Sequence, residues 1–291
     1  MVKVFVRLRP SPSPTLSLVP PASLLSPPAT LREFDGVFPA GCATSEVSSA
    51  VTAGVAEALL DGYNVTILAY GPTGTGKTHT MGTDFSPASG DAVMPTAVSL
   101  LFAAIAASPA ATAVHLSYLE VYNEHLNDLL LPPTSTPPPL DIHETPGRDV
   151  RVPNLTSLPV ASAERVFELL SAAAAGRKTA ATAANAASSR SHAIVSLAVA
   201  STAPGEGGAK VSGRLALVDL AGSERQKRTG AAGGRLREGI GINKGLFVLG
   251  QCMSALADGA EQAATPPPPA AHPGTAHPGT AQRRNSPSPR R

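Results

Sequence analysis

The sequence predicts a layered α/β fold with a mostly parallel or mixed central sheet, on three observations. Short apolar runs rich in β-branched residues alternate with stretches of helical spacing through residues 1–258. One such run, Val65-Thr-Ile-Leu-Ala-Tyr70, leads directly into a glycine-rich octet, Gly71-Pro72-Thr73-Gly74-Thr75-Gly76-Lys77-Thr78. Another, Leu215-Ala-Leu-Val-Asp219, ends on a carboxylate. A strand entering a glycine-rich turn puts that turn at the carboxyl end of the sheet, where such folds keep their sites.

The elements follow in order. Val2 to Arg9 alternates and reads as a strand that Pro10 ends. Ser11 to Thr30, with six prolines, reads as an irregular loop, and Glu33 to Phe38 as a short strand. Ser45 to Asp61 has helical spacing at Val47, Val51, Val55 and Leu59, with Ser45 as its candidate N-cap. Strand, octet and helix come next, then a polar loop at Gly82 to Gly90 and a helix from Pro95 to Ala107. Val114 to Tyr122 is strand-like, and Leu131 to Pro139 is a second proline-rich interruption. Ala161 to Ala174 and part of Thr179 to Ala187 read as helices. Ala193 to Ala200 and Leu215 to Asp219 are strands separated by the turn Pro204 to Gly208, and Leu236 to Leu256 carries a long helical pattern.

The 291 residues are 43% hydrophobic but only 4% aromatic, with no Trp, so the core must rest on Leu, Val, Ile and Ala. Net charge is +2 and names no partner. It is unevenly placed: residues 1–258 sum to −1 and residues 259–291 to +3. This tail has eight prolines and a repeated Ala-His-Pro-Gly-Thr, cannot bury a core, and is expected to be disordered. A solvated tail is the plain reading of its basic excess, and contact with an acidic surface the other. Cys42 and Cys252 follow no metal-ligand spacing, which suits a reducing compartment. Neither a secretory leader nor a membrane-length apolar run is read from the sequence, so no membrane partner is expected; no nucleic-acid partner is expected either.

The octet fits G-x-x-x-x-G-K-[ST], a phosphate-binding P-loop. Its backbone N–H groups would cradle phosphates, Lys77 would reach the β/γ-phosphates, and the Thr78 hydroxyl would hold Mg²⁺. The alternative is a chance glycine-rich turn. Asp219-Leu-Ala-Gly222-Ser-Glu224 adds what a nucleotide hydrolase needs beyond a cradle. Asp219 would hold Mg²⁺ through water, and Gly222 could offer its N–H to a γ-phosphate. Taken alone, D-x-x-G is also an ordinary strand-to-turn junction. Asn185-Ala-Ala-Ser188-Ser189-Arg190-Ser191-His192 is a dense polar cluster, or otherwise a Ser-rich capped turn.

Together and in this order, the three motifs resemble the P-loop, switch I and switch II of the kinesin motor family. Further strings resemble that family too: Arg7-Leu-Arg9-Pro10, Gly62 to Tyr70, Ser117 to Glu124, and Arg235 to Gly250 with Asn243 and Lys244 inside it. The resemblance covers residues 1–258. It implies a three-layer α/β/α P-loop NTPase fold with a mixed central sheet, the kinesin motor fold. It implies an ATP-dependent microtubule motor domain, located with the cytoskeleton in the cytoplasm, with ATP and Mg²⁺ at the site.

Residue by residue, the resemblance implies that Arg7, Arg9 and Pro10 flank the adenine with His79 stacking beside it; a surface helix position is the alternative for His79. The loop Gly71, Pro72, Thr73, Gly74, Thr75, Gly76, with Lys77, Thr78 and Asn185, would line the nucleotide site. Ser189 would close over Mg²⁺ and the γ-phosphate, and Ser188 would help hold the attacking water. Arg190 would pair with Glu224 only when a γ-phosphate is present. Lys227, Arg228, Arg235, Arg237, Asn243 and Lys244 would face acidic tubulin, or else form a solvated basic face.

The sequence departs from the family pattern in places. Pro72 replaces a Gln, and Ala186-Ala187 replace bulkier residues. After Leu256 the family's P-Y-R-D-S-K-L-T-like string and later elements are absent, so the expectation is a motor head of residues 1–258, truncated after the switch II helix, with a separate tail at 259–291. A non-motile kinesin-like protein and an inactive fragment remain as alternatives. No heptad pattern assigns an oligomeric state.

Overall fold

The structure is a computed structural model that describes residues 2–11, 17–19, 22–26, 30–85, 89–132, 139–144, 150–182, 190–205, 207–224 and 245–256. The chain begins with β1 (Phe5–Arg7), a meander of β2 (Ser17–Val19), β3 (Ser23–Ser26) and β4 (Thr30–Glu33), and β5 (Gly36–Phe38). Helices α1 (Thr44–Thr52) and α2 (Val55–Leu60) lead to β6 (Val65–Ala69), α3 (Lys77–Met81) and α4 (Val93–Ala107). Next come β7 (Ala111–Tyr122), β8 (His125–Asp128), β9 (His143–Glu144), β10 (Val150–Arg151), β11 (Leu158–Val160) and α5 (Ala163–Thr182). The long strands β12 (Ser191–Thr202) and β13 (Lys210–Asp219) follow, and a last described helix, α6, spans 245–256. No described helix is long and apolar enough to cross a membrane.

The main sheet runs β11-β7-β12-β13-β6, with β8 hairpinned onto β7. Of the two arrangements left open by the sequence, the mixed one is found. The β13–β6 pair is parallel and the other pairings of this sheet are antiparallel. A two-residue turn closes the β7–β8 hairpin, with positive φ at Asn123 and Glu124, the conformation that matches the strands' own twist.

Strand periodicity places the core. On β12, Ala193, Val195, Leu197 and Val199 are buried; on β13 they are matched by Leu215 and Leu217, and on β7 by Val114, Leu116 and Tyr118. The register aligns these in rows: Tyr118 with Val195 with Leu217, and Leu116 with Leu197 with Leu215. Helix α4 lays Val93, Met94, Ala97, Val98 and Leu101 into the same cluster, and α5 adds Val166 and Leu170 one turn apart. Each fully buried Leu or Val contributes about 1.5–3 kcal/mol against leaving it in water. Ser162 starts α5 by accepting the Arg165 N–H at 3.3 Å.

Four local expectations change. The stretch expected as an irregular loop contains the β2–β4 meander, its prolines lying outside the described strands. The helix expected over Ser45 to Asp61 breaks at Ala53–Gly54 into α1 and α2, which lets both halves pack on α4. Its N-cap is Ala43 rather than Ser45: Glu46 reaches back to accept the Ala43 N–H at 3.2 Å, and the first turn closes on the Ala43 carbonyl. The two helices expected between Ala161 and Ala187 are one, α5, through Thr182.

Candidate functional site

The parallel pair β6–β13 builds the site. Ala69 of β6 lies opposite Asp219 of β13, so both strands end side by side and the chain leaves each in the same direction. Gly71–Gly76 then turns into α3, with Gly76 at φ +99° as its N-cap, a conformation that an L side chain would resist. Pro72 donates no N–H, but its carbonyl organises the loop. It accepts from Thr75 N at 3.4 Å, Thr75 Oγ1 at 2.8 Å and Lys77 Nζ at 3.1 Å. Burial pulls the Lys77 ammonium below its ordinary pKa, against the opposing pull of the Asp219 and Glu224 charges.

Asp219 is buried at 7% exposure. Its Oδ2 accepts from Thr78 Oγ1 at 2.8 Å and from Thr83 Oγ1 at 2.6 Å. Its Oδ1 is buried with no hydrogen-bond partner. A buried carboxylate with one oxygen saturated and the other bare, beside the Thr78 hydroxyl, suits a hard divalent cation, which takes oxygen ligands and retains water. Thr78 and Asp219 are the residues that would hold it. Among the described residues no cluster of three or more His, Cys, Asp or Glu offers an alternative metal site.

Beyond Asp219 the chain is fastened to the glycine-rich loop. Leu220 N–H donates to Ala69 O at 3.3 Å and Ser223 N–H to Gly71 O at 3.2 Å. Glu224 accepts from Thr73 N at 2.8 Å and from Thr73 Oγ1 at 2.6 Å. Burial pushes the Glu224 carboxyl up, but the Thr73 hydrogen bonds and the Lys77 charge outweigh it and leave the group below its ordinary value. Gly222 is buried beneath this clasp: a Cβ there would collide with Thr73 Oγ1 and the Glu224 carboxylate.

The other expected residues divide into three groups. Arg7 is tied into the scaffold, donating to Thr80 Oγ1 at 2.8 Å, Thr44 Oγ1 at 3.0 Å and Cys42 O at 3.4 Å, so it braces β1 against α3 and α1. Arg9 is exposed over the loop, its Nη1 lying 3.7 Å from where a Cβ on Gly74 would sit. Pro10 and His79 are exposed, and Arg190 is half-buried at the turn before β12. Asn185, Ser188, Ser189, Lys227, Arg228, Arg235, Arg237, Asn243 and Lys244 lie outside the described residues. Two further residues enter that residue-level reading missed. Thr83 had no signal beyond being a hydroxyl five residues past Thr78. His192, whose Nδ1 accepts the Ala221 N–H at 3.1 Å, stood at the end of the polar cluster already singled out.

This fold and corner define a class: α/β proteins with a glycine-rich loop leading into a helix at the end of one strand and an acidic segment at the end of its parallel neighbour. The kinesin motor domain family profile matches residues 27–266, and the chain belongs to that family. It is 40% identical over 229 residues to the Kinesin heavy chain of Gibberella moniliformis, covering 78% of this chain and 24% of that one. It is 41% identical over 235 residues to Kinesin-like protein klp-20 of Caenorhabditis elegans, covering 80% of this chain and 35% of that one. It is also 39% identical over 230 residues to Chromosome-associated kinesin KIF4 of Mus musculus, covering 77% and 19%. The chain thus spans about a fifth to a third of the length of these curated relatives. A solved structure of a fast kinesin superposes with a TM-score of 0.79 at 36% identity, covering 89% of this chain and 76% of that one.

Proposed function

We propose that this chain is an ATP-dependent microtubule motor domain that binds and hydrolyses Mg-ATP at the β6–β13 corner. The observation that carries the reading is Asp219: one carboxylate oxygen held by Thr78 and Thr83, the other buried and bare beside the P-loop. When bound there, Mg²⁺ supplies charge neutralisation and orientation for the phosphates. The P-loop N–H groups and Lys77 bind the phosphate chain. Lys77 now donates to Pro72 O, a contact that phosphate oxygens would replace. Arg9, exposed over the loop, and the neighbouring exposed Pro10 form one wall for a base, with His79 as a second stacking surface. Asn185 and Ser188 join the site from switch I, Ser189 adds a hydroxyl toward the cation, and Gly222 N–H takes the γ-phosphate.

Glu224 has two stations in this reading. Clasped to Thr73, it keeps switch II on the P-loop. Once phosphate claims the loop, it transfers to Arg190, positions water and passes the change to the segment 225–244. Lys227, Arg228, Arg235, Arg237, Asn243 and Lys244 meet acidic tubulin. Residues 1–258 act as the motor unit and 259–291 as a tail.

The test uses the purified chain. Wild type is expected to bind Mg-ATP, and Lys77→Ala to lower that affinity about 100-fold or more. Microtubules are expected to raise ATP turnover. Unchanged affinity in Lys77→Ala sinks the P-loop assignment. Nucleotide binding with no microtubule stimulation sinks the motor reading and leaves a nucleotide-binding kinesin relative.

A further inference from the structure

We propose that His192 is a positioning residue that aims Gly222 of switch II at the γ-phosphate; this rests on the ATP reading above and gives a role to a side chain that the reading leaves idle. Between Asp219 and Glu224 four backbone N–H groups follow one another. Leu220 and Ser223 donate to main-chain carbonyls of Ala69 and Gly71. Ala221 instead donates to a side chain, Nδ1 of His192, at 3.1 Å. The N–H of Gly222 has no partner among the described residues. Three donors of the run are therefore fixed, and the fourth is the one left for a ligand. The orientation of its peptide depends on how Ala221 is held, because Gly222 has no Cβ of its own to restrict rotation.

The imidazole is well anchored for this role. His192 is the second residue of β12 and pairs with Val121 on β7. Its neighbour Ser191 is buried and donates to Glu120 Oε1 at 2.8 Å, while Asn127 Nδ2 donates to Glu120 Oε2 at 3.3 Å. An Nδ1 that accepts an N–H requires the neutral ring with its proton on Nε2. Burial favours that form, lowering the His192 pKa against the pull of Asp219 and Glu124. The same ring stands two residues after Arg190, so one hydrogen bond ties the end of switch I to the start of switch II.

The test compares His192→Ala, His192→Asn and His192→Gln in the full chain with Mg²⁺, using fluorescent mant-ADP and a mant-labelled non-hydrolysable ATP analogue. The Oδ1 of Asn falls where Nδ1 sits; the Oε1 of Gln falls near Nε2. ADP affinity should stay within about twofold in all three variants, since ADP lacks the group that Gly222 reads. Analogue affinity should fall about tenfold in the Ala and Gln variants and stay near wild type in the Asn variant. Wild-type analogue affinity in His192→Ala, or an equal fall in His192→Asn, overturns the proposal while leaving the ATP reading standing. Loss of both nucleotides in all three variants makes the ring a packing group only and also overturns it. Wild type binding neither nucleotide overturns the ATP reading, and this inference with it.

Discussion

Leu217 and Asp219 stand two residues apart on one face of β13, both buried, and they belong to different chemistries. The row through Leu217 contains Val195, Ile67 and the ring of Tyr118, mostly apolar side chains in one cross-strand register. The row through Asp219 contains Glu120, Ala193 and Ala69, two buried carboxylates separated by a small side chain, with another beyond. In the first row burial is itself the stabilisation. In the second, burial is tolerated because hydroxyls and an amide turn toward the carboxylates, and one oxygen of Asp219 still lacks a donor. A continuous strand can therefore change from scaffold to site within one step of its pleat.

The largest effect expected on this contrast comes from Leu217→Ala. It should lower unfolding free energy by about 2–5 kcal/mol in urea titration. A cost below about 1 kcal/mol would mean that the row is not a packed core. Asp219→Asn should do the reverse in kind. Mg-ATP affinity, read by calorimetry, should fall about 100-fold, while stability without nucleotide holds or rises because a bare buried charge is removed. A stability loss matching that of Leu217→Ala would erase the distinction between the two rows. Thr83→Val removes one of the two donors to Asp219 Oδ2 and should cost about 1 kcal/mol, visible as a small Tm decrease.

The smallest effect is in pH. Burial holds His192 below its ordinary pKa near 6.5, so the unfolded chain takes up that proton first as pH falls. The ring's contribution is whole above about pH 6.5 and is lost on descending toward its lowered value. Glu224, also lowered, is lost only further down, below the ordinary carboxylate value. Thermal melts at pH 7.5 and 5.8 should differ by a few degrees at most, with a shallower slope in His192→Asn.

Much of the first row was legible as strand in the sequence, because short apolar runs rich in β-branched residues depend only on side-chain type. The loop between β6 and α3 and the carboxylate that ends β13 were legible as well, since each stands in fixed order in the sequence: glycines, a lysine and a hydroxyl after one apolar run, an Asp closing another. The missed parts depend on distance through space. Thr83 reaches Asp219 from 136 residues away in the chain. The role of Arg7 as a brace requires knowing that β1 lies against α3. The meander at β2–β4 was hidden because prolines mark turns without revealing that strands shorter than five residues fit between them. The Ala43 cap was hidden because the acceptor comes from Glu46 rather than from the cap residue.

Among the described residues β6 pairs only with β13, over the five positions Val65 to Ala69. The separation between the glycine-rich loop and Asp219 is thus set first by this one ladder of parallel hydrogen bonds, on which the later contacts to the loop depend. A slip of one residue along it would carry the carboxylate about 3.3 Å and turn it to the opposite face of the sheet. Alignment of the site is in this sense digital: the two strands either meet in the one register that brings Thr78 to Asp219, or the hydroxyl and the carboxylate never come within reach of each other.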